Sequence, residues 1–174
     1  DVDGFLPGSS FDVPVAAAIG EILKSTHATL VADHKTTEKN FAAWLRAQKI
    51  AIIGRGETAG APIARYLEKQ HCATSIIHSK TPNPDEIMKR SDIIISCVGK
   101  ERVVTREATK SGAVLISVGI WRDEGGKLRG DYEEEEITDI ASLYTPTPGG
   151  VGPVNVACLM QNLIKACKMN TKGA

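Results

Sequence analysis

Four short apolar runs constrain the fold of this chain more than any other feature. Residues 49–53, 74–77, 92–98 and 113–118 are rich in Ile and Val, and their apolar residues follow one another without alternation. A strand with one wet face alternates apolar and polar residues. A strand that is apolar throughout is buried on both faces, as in a parallel sheet covered by helices. Helical patterns fall between the runs, at residues 59–68 and 85–89 and, with an acidic, solvated first turn, at 133–140. Residues 142–145 supply a fifth strand. The expected architecture is α/β, a doubly wound parallel sheet with helices on both faces. A last helix spans 156–168. Its Val156, Leu159, Met160, Leu163 and Ile164 recur at helical spacing, so that face is expected to meet the core.

The first 48 residues read differently. A helix at 16–24 follows Pro14, a polar loop fills 33–40, and Phe41, Trp44 and Leu45 suit a short amphipathic helix. Residues 1–48 are therefore expected to be a helical lead-in and linker, and 49–174 the sheet domain with its C-terminal helix. The chain opens on Asp1 rather than Met, as expected of a fragment of a longer protein. Twenty-one basic and 21 acidic residues give no net charge and no nucleic-acid footprint. No apolar run reaches the roughly 18 residues that a membrane span needs, and no signal peptide is visible. These features suggest cytoplasm, although a removed mitochondrial presequence would leave no trace. Cys72, Cys97, Cys158 and Cys167 lack metal-ligand spacing; free thiols are expected, and no metal.

The first strand runs into Gly54-Arg-Gly-Glu-Thr-Ala-Gly60, a GxGxxA pattern between a strand and a helix. That context makes it a phosphate-binding turn. Gly54 makes the tight bend and Gly56 admits a pyrophosphate. Thr58 and Ala59 sit at the helix entrance, and Ala59 or Gly60 lets helix and strand approach closely. The helix N-terminus then faces the phosphates, with Pro62 in the first turn where its missing N–H costs little. This is a Rossmann-like dinucleotide site.

The end of the second strand selects the dinucleotide. NAD-binding domains place a carboxylate there, on the ribose 2′-OH. This chain has His78-Ser-Lys80, with no carboxylate until Asp85. Arg55 and Ser79 suit a 2′-phosphate, so the expected cofactor is NADP. Val98 and Gly99 after the third strand, and Gly119 and Ile120 after the fourth, are expected to border it. Within residues 146–155 lie three prolines and three glycines, just ahead of the last helix. A rigid backbone loop in that place can hold a planar or anionic ligand.

These motifs occur in an order that resembles the dinucleotide-binding part of the bifunctional methylenetetrahydrofolate dehydrogenase/cyclohydrolase family. The matching stretches are Asp1-Val-Asp-Gly-Phe5, Ile53-Gly-Arg55 with Gly60-Ala-Pro62, and His78-Ser-Lys-Thr81. They continue with Val98-Gly-Lys100, Val118-Gly-Ile120, Gly130-Asp131 and Thr145-Pro-Thr-Pro-Gly-Gly-Val-Gly-Pro153. The last is the most specific. The resemblance implies oxidation of 5,10-methylenetetrahydrofolate with NADP, then hydrolysis of the methenyl product to 10-formyltetrahydrofolate. It also implies a homodimer, and places Gly54, Arg55, Gly56, Ser79 and Ile120 on the cofactor. Pro148, Gly149, Gly150, Val151 and Gly152 match the folate-side loop, and Asp3 matches the carboxylate that binds the pterin.

The resemblance also implies that the catalytic Lys, from a Tyr-x-x-x-Lys pair, belongs to a preceding domain. No catalytic residue is assigned within this chain, which alone is expected to bind NADP(H) without turnover. Departures from the family pattern include Val13-Pro-Val15 for Pro-Cys-Thr, Gly56 for Ser, Ser117 for Asp, Trp121 for Asn and Asn155 for Thr. The alternative is a stand-alone NADP-binding or regulatory module without folate turnover.

Overall fold

The computed structural model describes residues 1–171. Five parallel strands form the sheet: β1 (Lys49–Ile53), β2 (Ala73–Ile77), β3 (Ile93–Ser96), β4 (Val114–Ser117) and, after a short β5 (Trp121–Arg122) and β6 (Leu128–Arg129), β7 (Leu143–Tyr144). Their order is β2-β1-β3-β4-β7, while β5 and β6 pair as a separate antiparallel hairpin. The chain leaves β1 toward β2 on one side and returns to β3 on the other. The switch point, where such folds bind ligands, is therefore the β1/β3 boundary.

The uninterrupted apolar runs have a direct explanation. Ile50, Ile52, Ile93, Ile95, Val114 and Ile116 point into one core, covered by α1 (Pro14–Ala32), α2 (Phe41–Ala47) and α3 (Gly60–Lys69). Ala51, Ile53, Ile94 and Leu115 point into a second core, under α4 (Pro84–Lys89), α5 (Glu134–Ile137) and the 103–113 segment. Each of these Ile, Leu and Val side chains contributes about 1.5–3 kcal/mol by leaving water. The edge strand β2 departs from the expectation of burial on both faces. Only its Ile77 is buried, and Ile76 is 41% exposed. An edge strand has a neighbour on one side only, which leaves more of its residues open to water.

Helix α1 is longer than the sequence pattern suggests, because tertiary partners carry the weak helix formers of its second half. Thr26 and His27 are buried, and His27 Nε2 lies 2.8 Å from the Glu38 carbonyl with its ring 5.1 Å from that of Trp44. Ala18, Ile19 and Leu23 of α1 are fully buried, so the lead-in is built into the sheet's own core. Helix α2 is capped by Asn40, whose Oδ1 accepts from Ala43 N–H at 3.0 Å. The acidic segment at 133–140 forms a single helical turn, and the β5–β6 hairpin, turned by Asp-Glu-Gly-Gly at 123–126, was not anticipated.

Helix α6 (Val151–Thr171) corrects the expected core face. Val156, Met160, Leu163 and Ile164 are 54%, 52%, 48% and 54% exposed, and Leu159 is only partly covered. The helix packs on α1 instead of the sheet, through a narrow strip containing Val151, Cys158 and Asn162. Asn162 Nδ2 donates to the carbonyls of Val2 and Asp12, both at 2.9 Å, tying the N-terminal segment across α6. Among the described residues no helix is long and apolar enough to cross a membrane.

Candidate functional site

The loops after the parallel strands gather at one edge of the sheet. At the end of β1 the chain bends through Gly54, with φ +99°, and its N–H donates to the Ile77 carbonyl at 2.8 Å. A Cβ on Gly60 would sit 2.1 Å from the Gly54 carbonyl oxygen, so Gly60, and not Ala59, lets α3 press against the strand. Gly56 has open space around it. Arg55, Glu57 and Thr58 make no hydrogen bond within the described residues. Their N–H groups therefore stand available at the entrance to a ten-residue helix, where an anion is favoured by free donors and by the helix dipole.

Strand register brings the second element of the site alongside. Ile53 pairs with Ile77. Arg55 and Ser79, each two residues further on, therefore leave neighbouring strand ends together. Both are exposed, and Arg55 has no ion-pair partner among the described residues. His78 is half-buried and forms the turn: its N–H donates to Thr81 Oγ1 at 2.9 Å, and its Nδ1 accepts from Lys80 N–H at 3.1 Å.

Beyond β4 and β7 lies a cleft of about 420 Å³, lined by Val15, Val118, Ile120 and the 146–153 loop. Pro148, Gly149, Gly150, Val151 and Gly152 all face it. Two hydrogen bonds tie the loop down. The Gly150 N–H donates to the Pro146 carbonyl at 2.9 Å, the Thr147 N–H donates to Glu134 Oε1 at 2.8 Å, and the Thr147–Pro148 bond is cis. A Cβ on Gly150 would meet the Pro146 carbonyl oxygen at 2.6 Å. Asp3 is exposed and does not line this cleft.

Gly99 and Gly119 have an internal reason for being glycine. Gly99 has φ +72°, and a Cβ on Gly119 would meet Asp131 Oδ2 at 2.3 Å. The Asp131 side chain is fully buried between them and accepts from the N–H groups of Val98, Gly99 and Lys100. Gly130-Asp131 is among the stretches that carry the resemblance, but nothing in the sequence shows that this carboxylate is buried. Cys97, just before this loop, has its thiol pushed up to about 12 by burial and by the neighbouring Asp131. Cys72, Cys97 and Cys158 are free thiols, and no cluster of metal-ligating residues occurs among the described residues.

A doubly wound parallel sheet with a glycine phosphate turn at its switch point defines a dinucleotide-binding domain. Residues 39–171 match the family model of the tetrahydrofolate dehydrogenase/cyclohydrolase NAD(P)-binding domain. The chain belongs to this family. It is 39% identical over 168 residues to the bifunctional protein FolD of Lachnoclostridium phytofermentans, covering 97% of this chain and 57% of that protein. It is 42% identical over 128 residues to the FolD protein of Lactococcus lactis subsp. lactis, covering 72% and 45%. Among solved structures it is similar to the Campylobacter jejuni bifunctional enzyme FolD, a methylenetetrahydrofolate dehydrogenase/cyclohydrolase, with TM-score 0.84 and 29% identity over 98% of this chain and 58% of that one. It is also similar to the Trypanosoma brucei enzyme complexed with NADP cofactor and inhibitor, with TM-score 0.81, 27% identity and coverage of 98% and 59%. The chain thus spans about half the length of the curated relatives it matches.

Proposed function

We propose that this chain is the NADP-binding part of an enzyme that oxidises 5,10-methylenetetrahydrofolate and hydrolyses the methenyl product to 10-formyltetrahydrofolate. One observation carries the reading: Arg55, exposed and free of any carboxylate, leaves its strand end beside Ser79 where an NAD site would hold an acid. Bound NADP supplies the hydride acceptor. The chain's own part is to hold it. The N–H groups of Arg55, Glu57 and Thr58 take the pyrophosphate, and Arg55 with Ser79 takes the 2′-phosphate. Val98, Gly99, Gly119 and Ile120 border the nicotinamide half, and the loop containing Pro148 to Gly152 walls the folate. The NADP-bound Trypanosoma brucei neighbour supports this choice of cofactor.

Asp3 binds the pterin in this reading, together with a substrate domain that carries the catalytic Lys. The exposed apolar stripe of α6, beside the anchored Val2, is a suitable seat for that domain. The whole protein acts as a homodimer, and residues 1–174 alone bind NADP(H) without turnover. The test is titration of wild type and Arg55→Ala with NADPH and NADH. Loss of a charge-assisted contact weakens NADPH by about tenfold to a hundredfold and leaves NADH nearly unchanged. Equal losses for both cofactors would remove the 2′-phosphate role.

A further inference from the structure

We infer that Asp131 is a positioning residue for the nicotinamide half of the cofactor pocket, an inference that rests on the NADP reading above. Asp131 is 0% exposed. A buried carboxylate is costly unless its oxygens are satisfied, and here each oxygen accepts twice. Oδ2 takes the Ser96 hydroxyl at 2.6 Å and the Val98 N–H at 3.0 Å, while Oδ1 takes the N–H groups of Gly99 at 2.8 Å and Lys100 at 2.9 Å. Among the described residues no cation takes part. Three successive N–H groups converging on one anion form a nest, the arrangement that elsewhere binds phosphate. In this protein the nest is filled from within.

Three glycines clear the space for it. A Cβ on Gly119 would strike Asp131 Oδ2 at 2.3 Å and the Gly99 nitrogen at 2.3 Å. One on Gly99 would meet the Ile120 carbonyl oxygen at 2.9 Å, and one on Gly130 the Ser117 hydroxyl at 2.9 Å. The tie extends through the backbone. The Asp131 N–H donates to Ser117 Oγ at 2.8 Å, which donates to the Gly119 carbonyl at 3.0 Å. One residue thus fixes the loop after β3 against the loop after β4.

Position in the sheet makes this matter for one half of the ligand only. The adenosine half lies by β2 and the pyrophosphate at β1, so the nicotinamide half extends over β3 and β4. The N–H groups of residues 98–100 are already engaged and give the ligand nothing. What Asp131 sets is the spacing of the two loops between which the nicotinamide lies.

The experiment uses the 174-residue chain, wild type and Asp131→Asn, titrated with NADPH and with 2′,5′-ADP, which carries the adenosine half alone. The amide cannot accept from both the Val98 side and the Gly99 side. NADPH is expected to weaken at least about tenfold while 2′,5′-ADP stays within about twofold. A loss shared equally by both ligands marks a purely structural residue and overturns the inference, as does unaltered NADPH affinity. If Asp131→Asn does not fold, Ser96→Ala removes one of the four bonds and must show the same selective loss, at about threefold or more; its absence is equally fatal. Wild type that binds neither ligand overturns the NADP reading itself, and this inference with it. Wild type that binds both, beside a variant that binds NADPH equally well, overturns the positioning role alone.

Discussion

Replacing Gly60 with Ala is the sharpest probe of how this site is built. The added Cβ would lie 2.1 Å from the Gly54 carbonyl oxygen and 2.7 Å from its carbon, both main-chain atoms that cannot rotate away. Ordinary van der Waals contact begins near 3.4 Å. The helix must therefore retreat from the turn by about 1.3 Å, taking 3.4 Å less 2.1 Å. An overlap this severe, against main-chain atoms, belongs at the upper end of the usual overpacking range, about 2–3 kcal/mol, set against about 1 kcal/mol regained from the better helix propensity of Ala, a net of about 1–2 kcal/mol. For a chain of this length that net is a fall in melting temperature of roughly 2–8 °C. The same retreat carries the α3 N-terminus away from the phosphate position, so NADPH affinity falls as well. Gly56→Ala is the control, since nothing lies within 4 Å of its Cβ and melting should not move. Circular dichroism melts and NADPH titration decide the matter. A Gly60→Ala protein that melts with wild type would refute the claim that this contact sets the strand–helix approach.

Two further expectations follow from the geometry. Asn40→Ala removes the acceptor for Ala43 N–H and should cost about 1 kcal/mol in urea unfolding; no change would mean that α2 is held by Trp44 and Leu45 packing alone. The Cys97 thiol ionises at about 12 when folded and near 8.5 when unfolded. A raised folded pKa contributes stability that is full below about pH 8.5 and is lost as pH rises toward 12. Melting temperature should decline through that window, and Cys97→Ala should flatten the decline; parallel curves would show that other buried groups control it.

The central strands were legible because double burial leaves a mark in each residue: Ile50 and Ala51 face opposite cores, and both must be apolar. The glycine turn after β1 was legible because Gly54 and Gly60 serve local backbone geometry. What was not legible depends on partners distant in sequence. The second half of α1 rests on His27 and its contacts with Glu38 and Trp44. The apolar spacing of α6 is genuine, but spacing does not say what covers a face, and here that stripe is exposed. Gly99 and Gly119 were noticed for the right property, close approach, but the approaching group is the carboxylate of Asp131. The β5–β6 hairpin had a signal, Asp-Glu-Gly-Gly between two short polar-apolar pairs, that was too brief to compete with its flanks.

The outermost position of β2 has an evolutionary consequence. The residues proposed to choose between the two dinucleotides, Ser79 and its neighbours, leave an edge strand of which only Ile77 is buried. A substitution at their exposed side chains disturbs no packed layer and breaks no strand ladder. The loops after β3 and β4 have no such freedom, because one buried acid binds them together. On the proposed NADP reading, cofactor preference can therefore drift through single exposed changes, while the loops after β3 and β4 change only by coordinated replacement.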